Sequence, residues 1–241
     1  MSSSSDPASG GDETRDRPVV AAFDFDGTLT RGGSVWQFLV AIAGRSRVVE
    51  AGVRDLPKLC VAAVVGGKAN DVAKLGLFSR LLAGRDNDTV SKQAAEFGLL
   101  HFRRRARLEV CDRLRWHMEQ GHRVVIVSAS PELYLDSVAK ELGVDGLICT
   151  RLEVAADGKL TGRYDGLNCR GAEKARRLRE WIDEHVSTSE KNTLVWAYGN
   201  SAGDLDMLRS ADIGVNAGRL GRFGKLRGFR EFRDVERLPS S

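Results

Sequence analysis

The chain has 241 residues, 42% hydrophobic and 29% charged, with a net charge of +4, which allows one large domain or a core domain with a smaller insert and excludes a disordered or fibrous composition. No apolar run approaches the roughly 20 residues of a membrane helix, and so modest a charge suits an anionic substrate or surface without arguing for nucleic acid. Four cysteines, Cys60, Cys111, Cys149 and Cys169, form no CxxC pair and read as reduced, mostly buried cytosolic thiols, not a disulfide framework or a zinc site.

The first 17 residues are polar, acidic and rich in Ser and Gly, which predicts a disordered tail without the apolar segment of a signal peptide. VVAAFDFDGTLT, 19–30, follows. Its apolar run predicts a strand buried on both faces. Strand alternation points Asp24 and Asp26 the same way and Phe25 the other. Two like charges this close repel, and burying them unpaired is costly. A cation, or a proton held by one of them, relieves that cost. On this stretch alone, Asp26-Gly27 also reads as ordinary turn chemistry.

Helical patterns then cover 34–44, starting at Ser34; 55–65, with Pro57 near its start and Gly66-Gly67 as its stop; 71–83, with Asp71 as cap and Gly84 as its end; and 88–116 as one stretch. HRVVIVS, 122–128, is a second buried strand, and Ser130-Pro131-Glu132 opens a helix to 142. Strands are predicted at 146–154 and 160–164, joined through the Asp157-Gly158 turn. A charged amphipathic helix at 171–186, the strand TLVWAY at 193–198, a short helix at 204–210 and a last strand at 213–216 complete the pattern. Strands separated by helices predict an α/β fold with a doubly wound parallel sheet. The expected division is a tail at 1–17, a core at 18–33 and 117–218, an inserted helical cap at 34–116 and a basic segment at 219–241. Ligands in such sheets bind at the carboxyl ends of the strands, where Asp24, Asp26, Ser128 and the loop 199–204 would converge.

DFDGT, then Ser128 ending VVIVS, then Lys174, then GNSAGDLDML resemble the four ordered motifs of the haloacid dehalogenase-type phosphatase superfamily, in the phosphoserine phosphatase-like branch with a helical cap. NCRGAEK is similar to a bacterial subgroup of that branch. The resemblance implies a Rossmann-like core and a Mg²⁺-dependent phosphomonoesterase. It implies Asp24 as nucleophile, forming an aspartyl-phosphate that splits one hard displacement into two. Asp26 would be the general acid and base, with a pKa raised by crowding. Thr28, Ser128 and Lys174 would bind phosphate, and Asp24, the Asp26 carbonyl, Asn200 and Asp204 would hold Mg²⁺.

Two departures from that branch bear on function. Asn200 stands where an aspartate is usual, and a carboxamide oxygen is a weaker ligand than a carboxylate. A catalytically weakened protein that binds phosphorylated ligands or an anionic surface is therefore an alternative. Gly33 stands where phosphoserine phosphatases carry a glutamate facing the substrate amino group, which argues against phosphoserine. The remaining substrate class is a small or lipid-linked phosphate ester, without nucleic acid as a partner. The arginines of HFRRRAR at 101–107 cannot all share one helix face, so some are expected in solvent and one or two at the cleft; GRLGRFGKLRGFREFR at 218–233 is expected to pack on the core by its aromatics with its arginines in water, or to touch an anionic membrane surface.

Overall fold

The computed structural model describes residues 17–56, 68–186, 193–218, 226 and 228–235. Its centre is β1, Val19–Phe23, in a seven-stranded sheet of order β4-β3-β2-β1-β5-β6-β7. The other strands are β2, Arg123–Pro131; β3, Gly146–Val154; β4, Leu160–Asp165; β5, Leu194–Gly199; β6, Ile213–Asn216; and β7, Arg230–Glu231. All neighbours pair in parallel except β3 with β4. Phe23 aligns with Ile126 of β2 and Tyr198 of β5; β1 ends here and β5 one residue on, while β2 continues to Pro131.

Alternation assigns the two faces. Val20, Ala22, Val125 and Val127 meet Leu178, Trp181 and Ile182 of α7 (Ala172–His185), with Met207 and Leu208 of α8 (Leu205–Ser210). Ala21, Phe23, Val124 and Ile126 face the larger core, built from α5 (Leu108–Glu119), α6 (Glu132–Leu142), α9 (Phe232–Val235) and the helices between β1 and α5. Phe23 is fully buried and stacks on Tyr198 at 4.3 Å, a burial worth about 1.5–3 kcal/mol for such a side chain.

The inserted helices are α1, Val35–Ala43; α2, Arg45–Arg54; α3, Lys68–Leu82; and α4, Asn87–Arg105. The helix expected at 55–65 lies almost entirely outside the described residues; Asp55 itself ends α2 as its cap. Asp71 sits in the first turn of α3 and not at its cap; the capping aspartate is Asp86, which accepts from Thr89 N at the start of α4. The single helix expected over 88–116 is two. Between α4 and α5 the chain leaves helical geometry and pairs with the loop after β1: Arg31 N donates to the Arg105 carbonyl and Arg107 N to the Leu29 carbonyl, each 2.8 Å. This partner lies some 75 residues away, so no local pattern in 88–116 announces the break.

Within the basic segment, Phe232 and Val235 are buried and Phe229 packs on the core; Phe223 lies outside the described residues. Among the described residues no helix is long and apolar enough to cross a membrane. Cys111, Cys149 and Cys169 are free and buried, and Cys60 lies outside the described residues.

Candidate active site

The carboxyl ends of β1, β2 and β5 bring the expected residues together. Asp24 extends β1 by one hydrogen bond, its N–H donating to the Tyr198 carbonyl at 2.9 Å. Its side chain is buried and bonded on both oxygens. Oδ1 accepts from Lys174 Nζ at 2.6 Å, and Oδ2 accepts from Thr28 Oγ1 at 2.9 Å. The same Lys174 ammonium donates to Asp204 Oδ1 at 2.6 Å.

Lys174 is 1% exposed. It reaches this place because it shares the helical stripe of Leu178, Trp181 and Ile182, the residues α7 buries on the sheet. One ammonium thus stands between two carboxylates and can neutralise only one of them. Burial disfavours the Asp204 charge, but Lys174, helped by Ser201, outweighs it and holds Asp204 below the usual carboxylate range. Asp24 carries the excess. Burial and the Asp204 charge push its carboxyl up to about 7 against the pull of Lys174. Burial also opposes the Lys174 charge, but the two carboxylates hold its pKa above the ordinary lysine value.

Asn200 completes the cluster. Its carboxamide lies 3.1 Å from both Asp24 Oδ2 and the Asp26 backbone carbonyl. With its oxygen turned inward, three acceptor oxygens meet, and the Thr28 hydroxyl, 2.9 Å from Asp24 Oδ2 and 3.3 Å from Asn200 Oδ1, brings them the one proton they share; a cation would relieve the rest. With its nitrogen turned inward, the amide donates to both. An oxygen-only set of this kind suits a hard cation such as Mg²⁺. Gly27 makes the approach feasible: its φ is +86°, and a Cβ there would stand 2.0 Å from Asn200 Nδ2. Asp204, expected as a ligand, has both oxygens engaged elsewhere. Oδ2 accepts from the Asn200 and Ser201 N–H groups at 3.1 and 2.9 Å and from Ser201 Oγ at 2.8 Å. In the structure it anchors Lys174 and the loop. Among the described residues no three His, Cys, Asp or Glu side chains form a metal cluster, so the oxygen set rests on one carboxylate, one carboxamide and one carbonyl.

Asp26 lies beyond the end of β1, where strand alternation no longer applies, in a separate, hydroxyl-lined recess. Its Oδ2 accepts from Ser130 Oγ at 2.5 Å and Ser34 Oγ at 3.0 Å. Ser34 Oγ is also 2.6 Å from the Tyr134 hydroxyl. Oδ1 is buried without a partner. Burial raises the Asp26 pKa, and the two serine hydroxyls only partly offset it. Ser128, toward the end of β2, accepts from Ser130 N at 3.1 Å, which leaves its own hydroxyl proton available.

Sequence reasoning missed Ser34 and Ser130 as partners of Asp26, and Tyr134 as the partner of Ser34. Ser34 was expected to cap α1; it does sit at that position, but its side chain makes no capping bond and turns to Asp26 instead. It also missed Arg107, whose Nη1 donates to the Gly27 carbonyl at 2.9 Å and to the Ala217 carbonyl, tying the loop after β1 to the loop after β6.

Comparisons with known proteins agree with this geometry. Residues 21–209 match the family described as haloacid dehalogenase-like hydrolase. Protein CicA of Caulobacter vibrioides is 35% identical over 210 residues, 87% of this chain and 90% of that one. A phosphoserine phosphatase of Streptomyces coelicolor is 33% identical over 196 residues, 81% of this chain and 43% of that longer protein. A solved phosphoserine phosphatase, described as a phospho-aspartyl intermediate analogue, has the same fold: TM-score 0.59 at 20% identity, covering 91% of this chain and 98% of that one. The chain therefore belongs to the haloacid dehalogenase-like hydrolases.

Proposed function

We propose that the protein is a Mg²⁺-dependent phosphomonoesterase that works through an aspartyl-phosphate on Asp24. The observation that carries this reading is the placing of two carboxylates, two residues apart, among different partners. Asp24 lies against an ammonium and a set of oxygens; Asp26 lies in a recess that favours its protonated form. Such a pair divides the labour of nucleophile and acid.

Asp24 attacks phosphorus while Lys174 holds its carboxylate in place. Asp26 gives its proton to the departing alkoxide. The proton is held on Oδ1, since Oδ2 is the oxygen that accepts from Ser130 and Ser34. In the second half Asp26 takes a proton from water, and the water attacks the phosphorylated Asp24. Thr28 and Ser128 supply hydroxyl donors for the phosphoryl oxygens. Asp24, the Asp26 carbonyl and Asn200 would hold Mg²⁺, which when bound supplies positive charge against the phosphoryl oxygens. The substrate is a small phosphate ester, and Gly33 speaks against phosphoserine.

The test is phosphate release from a panel of phosphomonoesters. Turnover is expected to need Mg²⁺, to vanish with EDTA and to fall by roughly 10³-fold or more in Asp24→Asn. Asn200, neutral where a carboxylate is usual, favours one second reading, a weakened protein that binds phosphorylated ligands. Ligand binding without turnover, in wild type and in Asn200→Asp, would establish that reading instead.

A further inference from the structure

Helix α3 carries none of the expected catalytic residues, yet it delivers a lysine to the site. Lys74 Nζ donates to the Ala129 backbone carbonyl and, at 3.2 Å, to Asn168 Oδ1. It lies over the rings of Phe78 and Tyr164, 5.6 and 5.8 Å from their centroids. Neither hydrogen-bond partner carries a charge. An ammonium has three donors, and these bonds use two. Burial works against the charge and brings the Lys74 pKa down to about 8, although Asp71 and Asp26 pull the other way.

The surroundings are rigid and polar. Thr150 Oγ1 donates to Asn168 Oδ1 at 2.7 Å and to the Ala129 carbonyl at 2.9 Å, and Asn168 Nδ2 donates to Asp71 Oδ1 at 2.6 Å. The Tyr164 hydroxyl is buried and has no partner. Ala129 immediately precedes Ser130, which bonds Asp26. The ammonium is therefore anchored at the residue next to a partner of the acid, near enough for the Asp26 charge to act on it.

We propose that Lys74, with the Tyr164 hydroxyl and the Asn168 amide beside it, forms a subsite for a second anionic group, a carboxylate or a phosphate, on the alcohol part of the substrate. The inference rests on the phosphatase reading above. A desolvated ammonium with only neutral partners is poorly compensated. An incoming anion supplies a charge-assisted bond, stronger here than in water.

The experiment is steady-state kinetics on matched esters: 2-phosphoglycolate and ethane-1,2-diol bisphosphate as anionic, 2-hydroxyethyl phosphate as neutral, 2-aminoethyl phosphate as cationic, and p-nitrophenyl phosphate as a generic substrate. In wild type, kcat/KM for an anionic ester is expected to exceed that for the neutral one by about tenfold or more, the scale of one charged hydrogen bond. The better anionic ester identifies the group. Lys74→Met should collapse that ratio, mainly through KM. Lys74→Arg should keep it, and Lys74→Glu should turn the preference toward 2-aminoethyl phosphate, which a merely structural lysine would not do. A wild-type ratio near one, or a ratio unchanged in Lys74→Met and Lys74→Glu, overturns the subsite while leaving the phosphatase standing. If wild type hydrolyses none of the five, the phosphatase reading falls and the subsite with it.

Discussion

Asn200 is the uncharged side chain of the proposed Mg²⁺ site. Its carboxamide stands 3.1 Å from Asp24 Oδ2 and from the Asp26 carbonyl. Affinity at oxygen sites follows the count of charged ligands. Asn200→Asp should therefore lower the Mg²⁺ concentration for half-maximal turnover by about tenfold; a titration of activity against Mg²⁺ checks it, and an unmoved midpoint would mean that this side chain does not touch the ion. The place of Asp24 just past β1 was open to view in the sequence because the apolar run before it marks a buried strand. Lys174 was visible only through a resemblance, although its place on the apolar stripe of α7 already marked it for burial. Ser130, Tyr134 and Lys74 were hidden for a physical reason: each meets its partner across a long stretch of chain, Ser130 reaching Asp26 over 104 residues. No local periodicity encodes such contacts.

Among the elements, the strands and the helices lining the sheet follow their sequence patterns closely, since burial dictates both. Strands β3 and β6 have the expected limits. The division of 88–116 into α4 and α5 does not follow its pattern. It is imposed by pairing with residues 29–31, and Arg107 fixes it by bonding the Gly27 and Ala217 carbonyls. That side chain is 12% exposed, so its loss would leave carbonyls short of a donor. Arg107→Ala is expected to cost about 2 kcal/mol, the scale of hydrogen bonds to a charged group, read from urea unfolding. It should also lower kcat, because Gly27 shapes the approach of Asn200. Wild-type stability in the variant would show that backbone pairing alone holds the junction.

At the scale of the whole molecule, stability should depend on pH through a histidine pair packed under the sheet. His117 Nδ1 is 2.8 Å from His122 Nδ1, and His117 Nε2 is 2.9 Å from the Tyr198 hydroxyl. Burial, then Arg113 and His122, push the His117 pKa down to about 2. Its folded pKa lies below the unfolded value near 6.5, so the unfolded chain gains a proton that the folded one refuses. Stability is then intact above that value and falls as pH drops below it. Between pH 7 and pH 5, wild type should lose about 2 kcal/mol more than His117→Gln. Asp24, with its raised carboxyl, contributes with the opposite sign but equally in both proteins. Equal losses in unfolding measurements would refute the assignment. The position of β1 also has a consequence for synthesis. It is made before both of its partners, β2 and β5, and the second pairing cannot form until β5, Leu194–Gly199, is made. Until then one edge of an apolar strand has no β5 beside it, and such edges recruit wrong partners. The order of synthesis therefore leaves that edge in need of cover until β5 arrives.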